Sequence, residues 1–398
     1  MAIFSYRAID EGSRIIKGRI EAPDENELEE RLNLKGLTLI DVSKIIFSFS
    51  SRPKLTTKDL LNFTYFLNLI LSSGVSIMSG LSDMARQSIN RRLSLTASLL
   101  HSKLESGRSI SESMSEYPKL FPSFYTSMVR AGEASGNLEQ VLNEIMAHLE
   151  WQIKLKKDIR SALAYPVIVL AAVVSLITIL FVFVMPKFMK ILADLKVDLP
   201  LPTKILVYTV EFVKGYWPFI VFLLVLIPLG IRVAYNSETG RRIIDIIILK
   251  MPVTGELVKK LNHSRYFRTF ATLYRSGLSM NETLRVSAAV VKNTAIADAF
   301  SKVTNSVLGG EQLNRALKDA GGFGPLLINM VEIGEKTGTL DNTIMRISDM
   351  YDREVPETLK RIFTIIEPVM IVLLGGLVLL TLASFFLSLY KIVGGIHR

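Results

Sequence analysis

The chain has 398 residues, a formal net charge of +10 and 49% hydrophobic residues, and its mean hydropathy of +0.35 suits a membrane protein with substantial soluble parts. It contains no cysteine, which excludes disulfides, thiolate metal sites and cysteine nucleophiles. Lys and Arg gather beside apolar runs and do not interleave with aromatics, so the charge reads as membrane-flanking and nucleic acid is not an expected partner.

Residues 1–50 are expected to form a small β-rich segment. Phe4, Tyr6 and Ala8 alternate with Ser5 and Arg7, the period of a strand. Residues 14–21 and 37–42 read as two further strands. Between them Pro23-Asp24 opens a short helix that Gly36 ends, and Asp24 and Glu27 have capping-box spacing. No cleavable signal precedes the first strand, so this segment is expected in the cytoplasm. The serine-rich stretch 43–53 reads as a linker.

Residues 54–160 predict a first antiparallel helical bundle. Phe63, Phe66, Leu67, Ile70 and Leu71 fall at helical spacing, with breaks at Ser73-Gly74, at Gly107 and at Tyr117-Pro118. A helix is predicted over 121–131, a tight connection over 132–137, and then a longer helix with Leu138, Val141, Leu142, Ile145, Leu149 and Ile153 on its apolar face. A membrane span follows at 161–186. No charge occurs between Arg160 and Lys187, more than the roughly 20 residues that cross about 30 Å of hydrocarbon. Lys154, Lys156, Lys157 and Arg160 mark its near side as cytoplasmic. Residues 187–214 predict a short periplasmic segment broken at Pro200 and Pro202. A second span is expected at 215–235, with Trp217 at an interface position, Pro218 in the first turn and Pro228 kinking the far end. A second helical bundle is expected at 236–364 and a third span at 365–390.

The organising feature is a duplication. Residues 121–138 read FPSFYTSMVRAGEASGNL and residues 323–340 read FGPLLINMVEIGEKTGTL. Gly132-Glu133 pairs with Gly334-Glu335, Gly136-x-Leu138 with Gly338-x-Leu340, and Tyr165-Pro166 with Glu367-Pro368, all 202 residues apart. Earlier positions are offset by 203, as for Gly74 and Gly277 or Gly107 and Gly310. Two copies of one soluble unit belong on one side of a membrane. That demands an even number of crossings between them, and so requires the second span.

Each repeated motif carries two readings. For Gly132, Gly136 and Leu138, and for Gly334, Gly338 and Leu340, a structural turn suffices: the first glycine ends a helix left-handed, the second starts the next, and the leucine packs into the core. For Glu133 and Glu335 the structural reading is stabilisation of a helix N-terminus. The functional one is a contact between copies, a partner site or a divalent-cation site. Tyr165 reads as an interfacial tyrosine with Pro166 in a first helical turn. Glu367-Pro368 is sharper, since an acid at a membrane boundary is often paired. Gly375-Gly376 in the third span suits close helix packing or self-association.

Catalytic constellations are missing from the sequence. His101, His148, His263 and His397 are scattered, and there is no HExxH motif and no phosphate-binding GxxxxGK[ST] loop. Ser135 in Gly132-Glu133-Ala134-Ser135-Gly136 is one place late for a nucleophile elbow. No enzyme activity, cofactor or metal is expected.

Taken together, these features resemble the type II secretion system protein F family, which includes the platform proteins of type IV pili. The resemblance covers essentially the whole chain. It rests on the duplicated GExxGxL units, the RSALAYP approach to the first span (160–166), Val184-Met185-Pro186 at its end, and MPVTG (251–255) before the second copy. Asp158 departs from the basic residue usual before that approach. The resemblance implies a mainly α, polytopic membrane protein of the bacterial cell inner membrane. It would have two homologous cytoplasmic helical-bundle domains, three transmembrane helices and a small N-terminal β-rich segment. It further implies a platform coupling a cytoplasmic secretion or pilus ATPase to pilin or pseudopilin assembly and protein export. Other inner-membrane assembly proteins, membrane lipid and further copies of the chain are the remaining partners implied. The rival reading is a membrane transporter or channel, with the duplication reflecting a substrate pathway.

Overall fold

The structure, a computed structural model, describes residues 2–9, 15–22, 29, 37–44, 55–184, 186–187, 190, 201–252 and 254–395. The chain divides into two compact units, 1–54 and 55–398.

The first unit is a three-stranded antiparallel sheet of order β2-β1-β3, from β1 (Ala2–Ile9), β2 (Ile15–Ala22) and β3 (Thr38–Lys44). The register pairs Phe4 with Ile20 and Tyr6 with Val42, and an irregularity between Arg7 and Ala8 shifts the β1–β3 pairing. Ala8 is fully buried. All three expected strands are present. The third extends through Ser43 and Lys44, the first two residues of the expected linker. The Pro23-Asp24 helix start, Gly36 and the rest of the linker lie outside the described residues.

The second unit contains two helical bundles with the same helix order. The first comprises α1 (Thr57–Ser72), α2 (Ile77–Gln87), α3 (Arg91–Glu105), α4 (Ile110–Ser115), α5 (Ser123–Ser135) and α6 (Leu138–Ile179). After α6 the chain makes a wider π turn at Leu180–Val184. Next come α7 (Leu201–Tyr235) and α8 (Glu238–Lys250). The second bundle comprises α9 (Thr254–Arg275), α10 (Met280–Ala289), α11 (Thr294–Leu308), α12 (Leu313–Ala320), α13 (Pro325–Thr337) and α14 (Leu340–Gly395).

Local chemistry sets the helix starts. Thr56 accepts the Asp59 N–H at 3.1 Å while Asp59 accepts the Thr56 N–H at 3.0 Å, a reciprocal cap of α1. Asn90 caps α3 and Asn293 caps α11 at matching positions. The apolar stripes then converge. Phe63, Leu81, Leu100, Met114, Phe121 and Ile145 meet in the first core. Tyr266, Phe270, Phe300, Leu317, Val331 and Ile344 meet in the second, where Tyr266 and Phe300 stack with centroids 3.6 Å apart.

The last helix of each bundle has two lives. The N-terminal half of α6 buries Val141, Leu142, Ile145 and Leu149 in the first core, while its C-terminal half exposes Val167, Ile168 and Val174. At 42 residues it extends about 63 Å at 1.5 Å per residue. The helix with its π turn (Leu138–Val184) and α14 over Leu340–Ser384 are long and apolar enough to cross a membrane. Pro166 and Pro368 lie inside these continuous helices, not in the first turn of separate spans. The helices pass through because proline loses one N–H bond, and the surrounding turns supply the rest.

Between the bundles, Pro202 is the second residue of α7 and opens a helix where a break was expected; its missing N–H would be unpaired in a first turn anyway. Pro200 and the side chain of Trp217 lie outside the description. Helix α7 runs through residue 215 without interruption, contains Pro218 and Pro228, packs along α14, and contributes an apolar stretch at Phe222–Tyr235.

Candidate functional site

The duplicated turn follows directly from close packing and caps. In the first bundle α5 extends to Ser135 and is stopped by Gly136 at φ +70°, a conformation in which any Cβ is strained. The Asn137 N–H donates to Gly132 O at 3.0 Å and the Gly136 N–H to Glu133 O at 3.3 Å, closing the helix end. Gly338 repeats this at φ +68°. The left-handed residue is therefore the second glycine of the motif, not Gly132 or Gly334 as expected. Those two sit inside the helix and are buried. A Cβ on Gly132 would lie 3.1 Å from the Leu138 Cα and the Val141 Cβ; one on Gly334 would lie 2.8 Å from the Thr343 hydroxyl. The first glycine permits close approach of two consecutive helices, and Leu138 and Leu340 pack on the respective cores.

The glutamates reach backward along the chain. Glu133 accepts the N–H groups of Ile110 (2.6 Å) and Ser111 (3.0 Å), one on each carboxylate oxygen. Glu335 does the same for Leu313 (2.7 Å) and Asn314 (3.0 Å). Each carboxylate thus satisfies two free N–H groups at the start of α4 or α12, where negative charge also meets the positive end of the helix dipole. The contact lies within the bundle and joins helices about twenty residues apart. The capped helix is α4 or α12, which precedes the turn, and not the helix that the turn begins.

A second constellation, absent from the sequence reading, locks the bundles together. Trp151 and Leu155 of α6 pack on Val355 and Leu359 of α14, flanked by Leu257, Leu261 and Phe363. Asp352 accepts from the Trp151 indole N–H at 2.6 Å and from the Ser264 hydroxyl at 2.6 Å. Burial raises the Asp352 carboxyl above its ordinary pKa, against the lowering effect of these two bonds and of the nearby Arg268. The Arg268 guanidinium lies 5.7 Å from the Trp151 ring centroid and bonds Asp349 at 2.8 Å. His148, one turn before Trp151, stacks on Phe124 with centroids 4.0 Å apart, and burial pushes its pKa down to about 3. The available signal was Trp151 itself, one of two tryptophans in the chain, set on the polar approach to an apolar run.

Where the long helices leave this lock, the two boundary motifs meet. The Tyr165 hydroxyl donates to Glu367 at 3.3 Å, so residues at equivalent positions of the two copies touch each other. A Cβ on Gly375 or Gly376 further along α14 would meet nothing within 4 Å among the described residues.

Two copies of a helical bundle, each continued by a helix long and apolar enough to cross a membrane and joined at a part-buried Trp–Asp contact, define a duplicated membrane-associated scaffold. The family described as type II secretion system (T2SS), protein F, matches residues 63–186 and 266–388, and its N-terminal domain family matches residues 1–43. The chain belongs to the type II secretion system protein F family. It is 32% identical to the type IV pilus assembly protein PilC of Thermus thermophilus over 99% of both chains. It is 29% identical to that of Myxococcus xanthus over 100% of this chain and 96% of the other. Identity to the type II secretion system protein F of Pseudomonas aeruginosa is 28%, over 99% of this chain and all of the other.

Proposed function

We propose that the chain is a platform of a type II secretion or type IV pilus machine in the bacterial inner membrane. It would couple a cytoplasmic ATPase to the addition of pilin or pseudopilin subunits. The observation that carries this reading is the continuity of α6 and α14: each is both a core helix of a soluble bundle and an apolar rod. A displacement of either bundle passes along an unbroken helix into the membrane, and the Trp151–Asp352 lock makes the two bundles move together. The names of the relatives, which span both kinds of machine, support the same role. In this reading α7 is the third crossing, both bundles are cytoplasmic and no reaction is catalysed by the chain itself.

Two experiments test it. In a chain with no native cysteine, Lys119→Cys and Lys318→Cys are expected to label only from the cytoplasmic side and Lys204→Cys only from the periplasmic side; labelling of the first two from opposite sides sinks the arrangement. Purified full-length chain is expected to bind the organism's secretion or pilus ATPase and change its hydrolysis rate. Absence of both effects removes the coupling role, and solute flux through proteoliposomes holding the chain alone would favour a transporter.

A further inference from the structure

The two bundles meet head to tail, and among the described residues only one of two equivalent faces is covered. On α5, Phe124, Ser127 and Met128 are buried and Ala131 is half-buried. The α9–α10 corner of the second bundle lies against this helix. Leu273 and Leu278 enter the first core, Val286 packs on it, and Glu282 pairs with Arg130. On α13 the equivalent positions are open: Leu326 is 60% and Ile333 61% exposed, Asn329 is exposed and Met330 half-buried. Beside Glu332 and Lys336 of α13, a cleft of about 360 Å³ reaches in to Tyr274 and Met280. The corresponding place in the first bundle, at Leu71 and Ile77, holds a void of about 10 Å³.

The surface equivalent to the α9–α10 corner is the α1–α2 corner, and it too is open. Val75 stands where Leu278 does in the other copy, and is 45% exposed against 6% for Leu278. Leu69 beside it is 62% exposed. We infer that the open face of α13 is covered by the α1–α2 corner of a second copy of this chain, as α5 is covered by the α9–α10 corner within one copy. The charges change consistently on both sides. Glu332 replaces Arg130 while Ser79 replaces Glu282, so no like charges are brought opposite each other. Asp83 replaces Val286, and the α13 face carries Lys336, paired with Glu332 within the chain. A head-to-tail contact has unlike faces, so one chain leaves one of each unused, and repetition between copies closes a ring or extends a chain. The inference deepens the platform reading by specifying how copies associate, and rests on it only for that association.

Cysteine chemistry tests this cleanly. Full-length Ile333→Cys with one tag and full-length Val75→Cys with another are coexpressed, and the membranes are treated with a short bis-maleimide. The expected product carries both tags, at least tenfold above same-tag products. A same-tag dimer of Ile333→Cys formed as efficiently would show face-to-face pairing of α13 and overturn the inference. So would absence of the mixed product when both cysteines react fully with a monofunctional maleimide. If that absence accompanies an oligomeric mass in detergent and intact ATPase coupling, the surface is wrong while the platform reading stands.

Discussion

The two bundles share a helix order and a turn, yet they are built from different interiors and carry different loads. The first core takes Phe63, Gly80, Met84 and Met146 where the second takes Tyr266, Thr283, Ser287 and Ser348. The four hydroxyls of the second are buried without a hydrogen-bond partner among the described residues. Each bundle also buries one histidine, at positions that do not correspond: His148 against Phe124 and Trp151, and His263 among Phe323, Phe300 and Tyr351. What stays constant is the pair of glycines, the backward-reaching glutamate and the leucine. The turn geometry is therefore retained more strictly than the packing it supports, as expected if the turn sets the angle at which the long helix leaves each bundle.

That contrast is sharpest for large core residues. Phe121→Ala removes a ring that is 1% exposed and packed on Phe63 and Tyr125, and is expected to cost about 3–5 kcal/mol. Its counterpart Phe323→Ala, in a half-buried site, is expected to cost less than half as much. Thermal unfolding of the full chain in detergent measures both, and equal losses would mean that the cores carry equal loads.

The histidines sharpen the comparison through pH. Folded His148 stays neutral down to about pH 3 and folded His263, likewise held neutral by burial, down to about pH 4. The unfolded imidazole takes its proton near 6.5. Protons then bind preferentially to the unfolded chain, so stability is full above pH 6.5 and falls as the pH drops toward those values. Exchanging each histidine for the residue at the equivalent position, His148→Met and His263→Leu, is expected to remove the acid sensitivity in two steps, one per bundle. A single variant that abolishes all of it would assign the effect to one bundle alone. The carboxyl of Asp352 acts in the opposite sense: because its folded pKa is raised, stability falls as pH rises through the carboxylate range, and Asp352→Asn should flatten that part of the profile.

The smallest expected effect is at the joint between bundles. Arg130→Ala breaks its pair with Glu282 at a solvent-exposed site, worth about 0.2–1 kcal/mol, and Glu332→Ala at the equivalent position breaks only a local pair with Lys336 one turn along the same helix and is expected to cost no more. A large loss for Arg130→Ala would make the ion pair, rather than Leu273 and Leu278, the main tie between the bundles.

Much of the candidate site was legible residue by residue but not in its connections. The motif residues were identified from an offset alone, and glutamate as a partner of helix N-terminal N–H groups follows from the dipole. Which helix each glutamate caps depends on α4 and α12 folding back beside the turn, a consequence of core burial that no local pattern encodes. The strained conformation belongs to Gly136 and not to Gly132; either glycine can end a helix, and only packing against Leu138 and Val141 distinguishes them. Trp151 and Asp352 were missed because their contact joins residues two hundred positions apart.

By itself the amino-acid sequence determined the duplication, the apolar runs and the strand pattern, since these rest on period and length. The tertiary structure alone decided that Pro166 and Pro368 lie within unbroken helices, that Tyr165 meets Glu367, and that α5 is covered while α13 is open. Those outcomes depend on which apolar faces find each other in space. Two nearly equivalent halves can settle that competition differently, because a single chain offers only one of the two unlike contacts to itself.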